Sequence, residues 1–185
     1  MAVIPEQYHS MNIIIKRNTI VSTGLALILS SVNLISCNNI ASSVKPHVRD
    51  STALPAFDIL LTDTITKFNT DKIPVDKPIV LFFFGPDCPQ CDALIRNIVT
   101  HMDTLKDIRF LMLSIANFHD AKVYEEKYQL NKYKNVILGL DYSNYFISFK
   151  APGFPLLVFF DKNKKAKRAK LGSVPIDSIR AIVDK

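Results

Sequence analysis

Cys88-Pro89-Gln90-Cys91 is the place in this chain where residue type and spacing together suggest chemistry. Two cysteines three apart can be half of a zinc site, the start of a haem attachment, a redox pair or a structural disulfide. Structural zinc takes four ligands, commonly a second Cys-x-x-Cys or a pair of histidines. His101 and His119 lack the spacing of a ligand pair, and His9 and His47 lie in the N-terminal region. Thiolates suit Cu(I), but no third ligand stands at a supporting spacing. A c-type haem would need histidine directly after the second cysteine, and residue 92 is Asp. A redox pair and a structural disulfide remain.

The flanking sequence favours redox chemistry. Ile79 to Phe84 reads IVLFFF, a continuous apolar run of the kind buried on both faces of a sheet. Gly85-Pro86-Asp87 breaks it. From Pro89 to about Leu105 the residues Leu94, Ile98, Met102 and Leu105 recur at helical spacing. Cys88 then stands at a helix N-terminus, facing unpaired N–H groups and the positive end of the dipole. Such a site stabilises a thiolate and lowers its pKa from about 8.5. Pro89 fits the first helical turn, where its missing N–H costs nothing. Cys91, one turn in, is the more buried and stays a thiol. Cys88 would attack a partner and Cys91 would resolve the mixed disulfide. Asp87 opposes the thiolate slightly, and the helix terminus outweighs a solvated carboxylate.

The remaining elements follow from the same patterns. Phe57–Leu61 and Thr64–Phe68 form a hairpin around Thr62-Asp63. Ile108–Ile115 is a buried strand, and Ala121–Leu130 a helix that Asp120 caps. Val136–Leu138 is a short strand and Asp141–Phe149 a helix. Leu156–Phe160 and Ala166–Leu171 are paired strands, and Pro175–Val183 is a last amphipathic helix. Strands alternating with helices predict an α/β fold, a central mixed sheet flanked by helices, with the hairpin as an N-terminal extension. The 185 residues are 48% hydrophobic and 22% charged with a net charge of +6. Those values exclude a disordered chain and a disulfide-dense mini-protein.

The N-terminal part reads as an address. Lys16 and Arg17 precede an uncharged stretch from Thr19 to Ile35, short for a membrane span. It ends in Leu34-Ile35-Ser36-Cys37, which resembles a bacterial lipobox, with Met11 the natural start of such a signal. Residues 1–36 are thus expected to be a lipoprotein signal peptide, 37–53 a lipidated tether beginning at Cys37, and 54–185 the folded domain. A coil-like tether of about 16 residues spans roughly 20 to 24 Å. The domain would work outside the cytoplasm, where disulfides persist. Cys37 carries lipid and cannot pair, which leaves Cys88 and Cys91 to each other.

From Leu54 to Lys185 the sequence resembles the thioredoxin superfamily, closest to its TlpA-like and redoxin-like extracytoplasmic branch. The resemblance rests on LPAF at 54–57, KPIVLFFFGPDCPQC at 77–91, GFPLLVFFD at 153–161 and the closing hairpin and helix. It implies a thioredoxin-like fold and a thiol-disulfide oxidoreductase with Cys88 and Cys91 catalytic. Pro155 would be a cis-proline against the Cys-x-x-Cys, and Phe154, Pro89 and Gln90 would line the partner groove. Protein dithiols and disulfides would be the partners and the Cys88–Cys91 disulfide the only redox group, without organic cofactor or metal. The chain departs from the pattern in four places. It has no Trp and places Asp87 before the first cysteine. Phe82 stands where thioredoxin has a buried acid, Phe154 where Thr or Val is more usual, and Gln90 where strongly oxidising relatives have His. The last departure argues for a reductase.

Two other readings stay open: a non-enzymatic lipoprotein with a structural disulfide, and a peroxiredoxin-like peroxidase. The latter family carries a Pro-x-x-x-Thr-x-x-Cys loop, its threonine three residues before the cysteine, where this chain has Gly85. Lys162, Lys164, Lys165, Lys167, Arg168 and Lys170 crowd one hairpin. They are read as a solvated turn blunting an edge strand, or as a contact for anionic lipid or an acidic partner. Nucleic acid does not fit the location. Phe82, Phe83, Phe84, Phe159 and Phe160 are read as core.

Overall fold

The apolar run Ile79–Phe84 forms strand β3, and all six of its side chains are fully buried. A computed structural model describes residues 53–184. The start at Met11, the signal sequence, Cys37 and the tether up to residue 52 lie outside the described residues. β3 pairs in parallel with β4 (Arg109–Ser114) and antiparallel with β6 (Leu156–Phe160). Beyond these lie β5 (Val136–Leu140), β1 (Asp58–Leu61), β2 (Lys67–Asn69) and β7 (Ala166–Leu171). The seven strands run in the order β2-β1-β5-β4-β3-β6-β7, a mixed sheet with the hairpin β1–β2 at one edge.

Successive side chains of a strand point to opposite faces, so β3 serves two cores. Val80, Phe82 and Phe84 meet helices α1 (Pro89–Thr100), α2 (Met102–Leu105), α3 (Phe118–Tyr128) and α4 (Ile176–Val183). Ile79, Leu81 and Phe83 face the other way, toward Leu54, Phe57, Ile73 and Phe149. That second face is covered by the extended segment before β1 and a 3-10 helix, Tyr145–Phe149. The parallel β3–α1–β4–α3–β5 crossovers move in one direction across the sheet and keep both helices on one face, as right-handed connections require.

Local chemistry moves several predicted boundaries. The helix expected to run to Leu105 breaks at His101, which leaves the helical region at φ −107°, ψ 19°. Thr100 and Thr104 hydroxyls bond the carbonyls of Arg96 and His101 around the break, the side-chain competition that β-hydroxyl residues offer a helix. α3 begins at Phe118, and its cap is Asn117, whose Oδ1 accepts the Asp120 amide at 3.1 Å. Asp120 is therefore in the first turn rather than at the cap. The second hairpin strand starts at Lys67 rather than Thr64, because the Asp63 carboxylate gathers the amides of Ile65 and Thr66 into a longer turn. The stretch Asp141–Phe149 is not α-helical. Asn144 and Lys150, both at left-handed φ, confine it to the 3-10 helix.

Gly139 in β5 is required by its neighbour rather than by its dihedrals. A Cβ there would collide with the Leu60 carbonyl oxygen of β1 and lie 2.7 Å from Ile59 Cγ2. Gly139→Ala is expected to push β1 off β5 and to destabilise the domain by about 1–3 kcal/mol, measured by urea unfolding. An unchanged midpoint would mean that β1 is free to give way.

Candidate active site

Cys88 occupies the seam between β3 and α1. Gly85-Pro86-Asp87 carries the chain off the sheet, with Asp87 left-handed at φ 48°. Asp adopts that region more readily than most residues because its short side chain can bond locally. Cys88 then caps α1, and its Sγ accepts the Cys91 amide at 3.1 Å. Pro89 takes the first helical position. The two sulfurs are bonded to each other, with Cα atoms 5.2 Å apart. Cys91 is fully buried among Leu94, Ile95 and the rest of the helix-side core, while Cys88 is partly exposed. The disulfide thus has a solvent-facing sulfur and a core-facing sulfur.

Phe154 forms the opposite wall. The Phe154–Pro155 peptide is cis, and Pro155 is buried at the entry to β6. The Phe154 ring lies over Gly85, where an added Cβ would come within 2.8 Å of Cε2. Only a residue without a side chain leaves room for the ring there. Phe146 packs on Phe154 at 4.8 Å between ring centroids. Pro86, Asp87, Cys88, Pro89, Gln90 and Phe154 line an open cleft of about 300 Å³. Among the described residues, neither the amide nor the carbonyl of Phe154 has a backbone hydrogen-bond partner. The register explains the meeting. Phe83 pairs with Leu156 across β3 and β6, so the residues just past β3 meet those just before β6.

Two carboxylates that sequence reasoning passed over hold these walls. Asp92 follows Cys91 and receives Lys127 Nζ at 2.5 Å, the Tyr128 hydroxyl at 2.9 Å and Arg96 Nη2 at 3.0 Å. The Lys127 bond above all holds its carboxyl below the ordinary carboxylate range, against a smaller opposing effect of burial. The Arg96 partner was legible as an i, i+4 pair. Lys127 and Tyr128 are 35 and 36 residues away, and only the packing of α3 against α1 brings them in.

Asp141, at the end of β5, is 4% exposed. Its carboxylate accepts the Tyr145 amide at 2.9 Å and the Phe146 amide at 2.7 Å. Burial pushes its pKa up, and the two amides oppose that shift. The bonds fix the start of the 3-10 helix and with it the Phe146 ring that backs Phe154. Tyr145 stacks on Phe57 at 4.6 Å, and Phe149 is buried behind Phe83. Tyr142 is exposed, with Lys67 over its ring at 4.1 Å, and His119 is exposed in the first turn of α3.

Asp141 sets a pH dependence with a definite sign. Its folded pKa lies above its unfolded value, so the contribution of this group to stability is full below the unfolded pKa of about 3.9. It is lost as pH rises through the folded value. The stability difference between the unmodified chain and Asp141→Asn is therefore expected to be more favourable to the unmodified chain at pH 3 than at pH 7. Denaturant unfolding across that range checks it, and the opposite slope would show that the amides outweigh burial.

This geometry has many parallels. A thioredoxin-family thiol:disulfide interchange protein of Chlorobium tepidum superposes with a TM-score of 0.58 at 17% identity, covering 72% of this chain and 94% of that one. A secreted disulfide oxidoreductase of Mycobacterium tuberculosis gives 0.55 at 19% identity, covering 69% and 94%. An exposed lipoprotein thioredoxin of Streptococcus pneumoniae gives 0.54 at 18% identity, covering 70% and 98%. At such identities the likeness is one of fold. No curated protein sequence matches the chain. The thioredoxin-like domain family matches residues 73–185, from the approach to β3 through α4. With that match over more than half of its length, and with the fold to go with it, the chain belongs to the thioredoxin-like domain family.

Proposed function

We propose that this protein is a thiol-disulfide oxidoreductase that exchanges electrons with protein partners through Cys88 and Cys91, and that it works as a reductase. The observation that carries the reading is the asymmetry of the pair. Cys88 Sγ faces an open cleft at a helix N-terminus, and Cys91 is sealed in the core. A purely structural disulfide gains nothing from an open cleft or from an aromatic wall beside it.

The reaction balances as two exchanges. The Cys88 thiolate attacks one sulfur of a partner disulfide. A Cys88–partner bond forms, and the second partner sulfur leaves as a thiolate and takes a proton. Cys91 then loses its proton and attacks Cys88 Sγ. The Cys88–Cys91 bond forms, and the first partner sulfur departs as a thiol. The chain has given up two electrons and the partner has gained them. In the reduced state the Cys91 amide that now bonds Cys88 Sγ would donate to the thiolate, a charge-assisted bond stronger than its neutral counterpart. The N-terminal end of α1 adds its partial positive charge. The free amide and carbonyl of Phe154 offer an extended partner segment a short stretch of backbone pairing beside the cysteine.

The direction rests on residue types. Gln90 contributes no positive charge between the cysteines, so the thiolate lacks the further stabilisation that makes a strong oxidant. Phe82 supplies no buried carboxylate behind Cys91, so the proton of Cys91 passes to the departing partner thiolate or to water. Lipid attachment at Cys37 would hold the domain outside the cytoplasm, which is where the pair needs a supply of electrons across the membrane.

Cys88→Ser is expected to abolish reduction of insulin disulfides. Cys91→Ser should instead accumulate a mixed disulfide through Cys88, visible as a reducible adduct on gels. Loss of stability without loss of exchange in Cys88→Ser would assign the pair a structural role. A second measurement fixes the direction. The Cys88–Cys91 couple, equilibrated in dithiol buffers, is expected near the thioredoxin value of about −270 mV, and a value near −120 mV would make the protein a disulfide donor.

A further inference from the structure

The end of the domain opposite the disulfide, and the edge strand that leads from it back to Lys170 opposite Leu157, carry charge that the fold does not use. Lys162, Lys165, Lys167, Arg168 and Lys170 line the β6–β7 turn and the edge strand β7, and all five are exposed. Among the described residues none of them makes an ion pair. Lys164, the sixth cation of the run, donates to the carbonyls of Thr70 and Asp71 and is part of the structure. Four acids nearby are committed elsewhere, and Asp71 stands exposed beside Lys164. Asp161 turns inward to accept the amides of Asn163 and Lys165. Asp107 and Asp184 pair with Arg180, and Asp76 with Arg109. Lys167, Arg168 and Lys170 also line a groove of about 490 Å³ against α4, large enough for a phosphate head group.

A second observation points to the same corner. Ala53 bridges to Lys165, and the Leu54 amide bonds the Lys164 carbonyl at 2.8 Å. The first described residue, 16 positions after Cys37, therefore sits against the basic turn itself. β6 runs antiparallel to β3, so this turn and the Cys88 end lie at opposite ends of the strands. Six residues separate Pro155 from Asp161, which at strand rise is roughly 20 Å.

We infer that the β6–β7 turn and the adjoining edge of β7 dock on an anionic phospholipid surface and hold the disulfide end away from the membrane. Exposed basic residues near a membrane each add to attraction for anionic lipid. The tether argument draws on the lipid-anchored reading, while the charge argument stands without it and without the redox reading. The same edge charges keep β7 from pairing with another sheet, so the two roles do not compete.

The described residues close both faces of their own sheet with two cores, so residues 41–185 can be tested as a unit without the apolar segment before Cys37. Its co-sedimentation with vesicles of phosphatidylcholine containing about one third phosphatidylglycerol is measured against pure phosphatidylcholine. Binding is expected on the anionic vesicles alone, weakened at least tenfold by 0.5 M salt and by the variant K162Q/K165Q/K167Q/R168Q/K170Q. Lys67, Lys122 and Lys150 lie away from the turn, and K67Q/K122Q/K150Q is expected to bind as the unmodified unit does. Hydrogen exchange on the vesicles should slow in 161–168 and stay unchanged in 86–92. Equal loss in both variants would reduce the effect to net charge and overturn the proposal, as would absence of binding, insensitivity to salt, or protection at 86–92. Insulin reduction by the five-site variant is read in parallel and is expected to be unchanged, so that a failure of docking and a failure of the redox reading are told apart.

Discussion

A strand can lie between two sheet neighbours, with cover on both faces, only if every side chain it carries is apolar, and β3 meets that condition at all six positions. Each of its Phe, Leu, Ile and Val side chains contributes roughly 1.5–3 kcal/mol by leaving water. That burial fixes the strand's place and leaves its C-terminal end little freedom. Gly85 to Cys88 must then leave the sheet at one point and in one direction. Cys88 is delivered to the first turn of α1 because β3 cannot slide. A one-residue slip would send Phe82 and Phe84 to the wrong core.

The polar groups around the site act within that frame. Asp92 links α1 to α3 through Lys127 and Tyr128, and so fixes the turn that carries Cys91. Such a partly exposed ion pair adds little net stability, and its value here is orientation. Asp141 does a comparable job for the facing wall. It is a buried carboxylate satisfied by two backbone amides, an arrangement that costs desolvation and returns a defined start for the 3-10 helix. Phe146 is thereby held against Phe154, and Phe154 against Gly85. The cleft is thus made of aromatic surface on one side and a helix terminus on the other.

The sheet also separates two kinds of surface. The disulfide, Phe154 and the cleft lie past the C-terminal end of β3, while Ala53 and the cations of the β6–β7 turn lie around the far end of β6. Antiparallel pairing of β6 with β3 enforces the separation. No described helix is long and apolar enough to cross a membrane.

Much of this was legible one residue at a time. The hydrophobic run IVLFFF, the Gly-Pro-Asp break and the helical spacing after Pro89 fix the strand, the turn and the helix, because periodicity and backbone preference are local properties. They also put Cys88 at a helix terminus and Cys91 one turn further in. Helix ends were less legible. His101, Asn117 and Asn144 mark boundaries through single side-chain bonds that compete closely with their neighbours, and the 3-10 helix depends on a carboxylate whose amide partners become apparent only once the chain has turned. The Lys127–Tyr128 clasp on Asp92, the fit of Phe154 over Gly85 and the junction of Ala53 with Lys165 join residues 35 to 112 positions apart. The sequence by itself determined the order of elements and the residue types available for chemistry. The tertiary structure decided which of those residues meet, because contacts across a sheet follow strand order and register, and these minimise exposed apolar area over the whole chain at once.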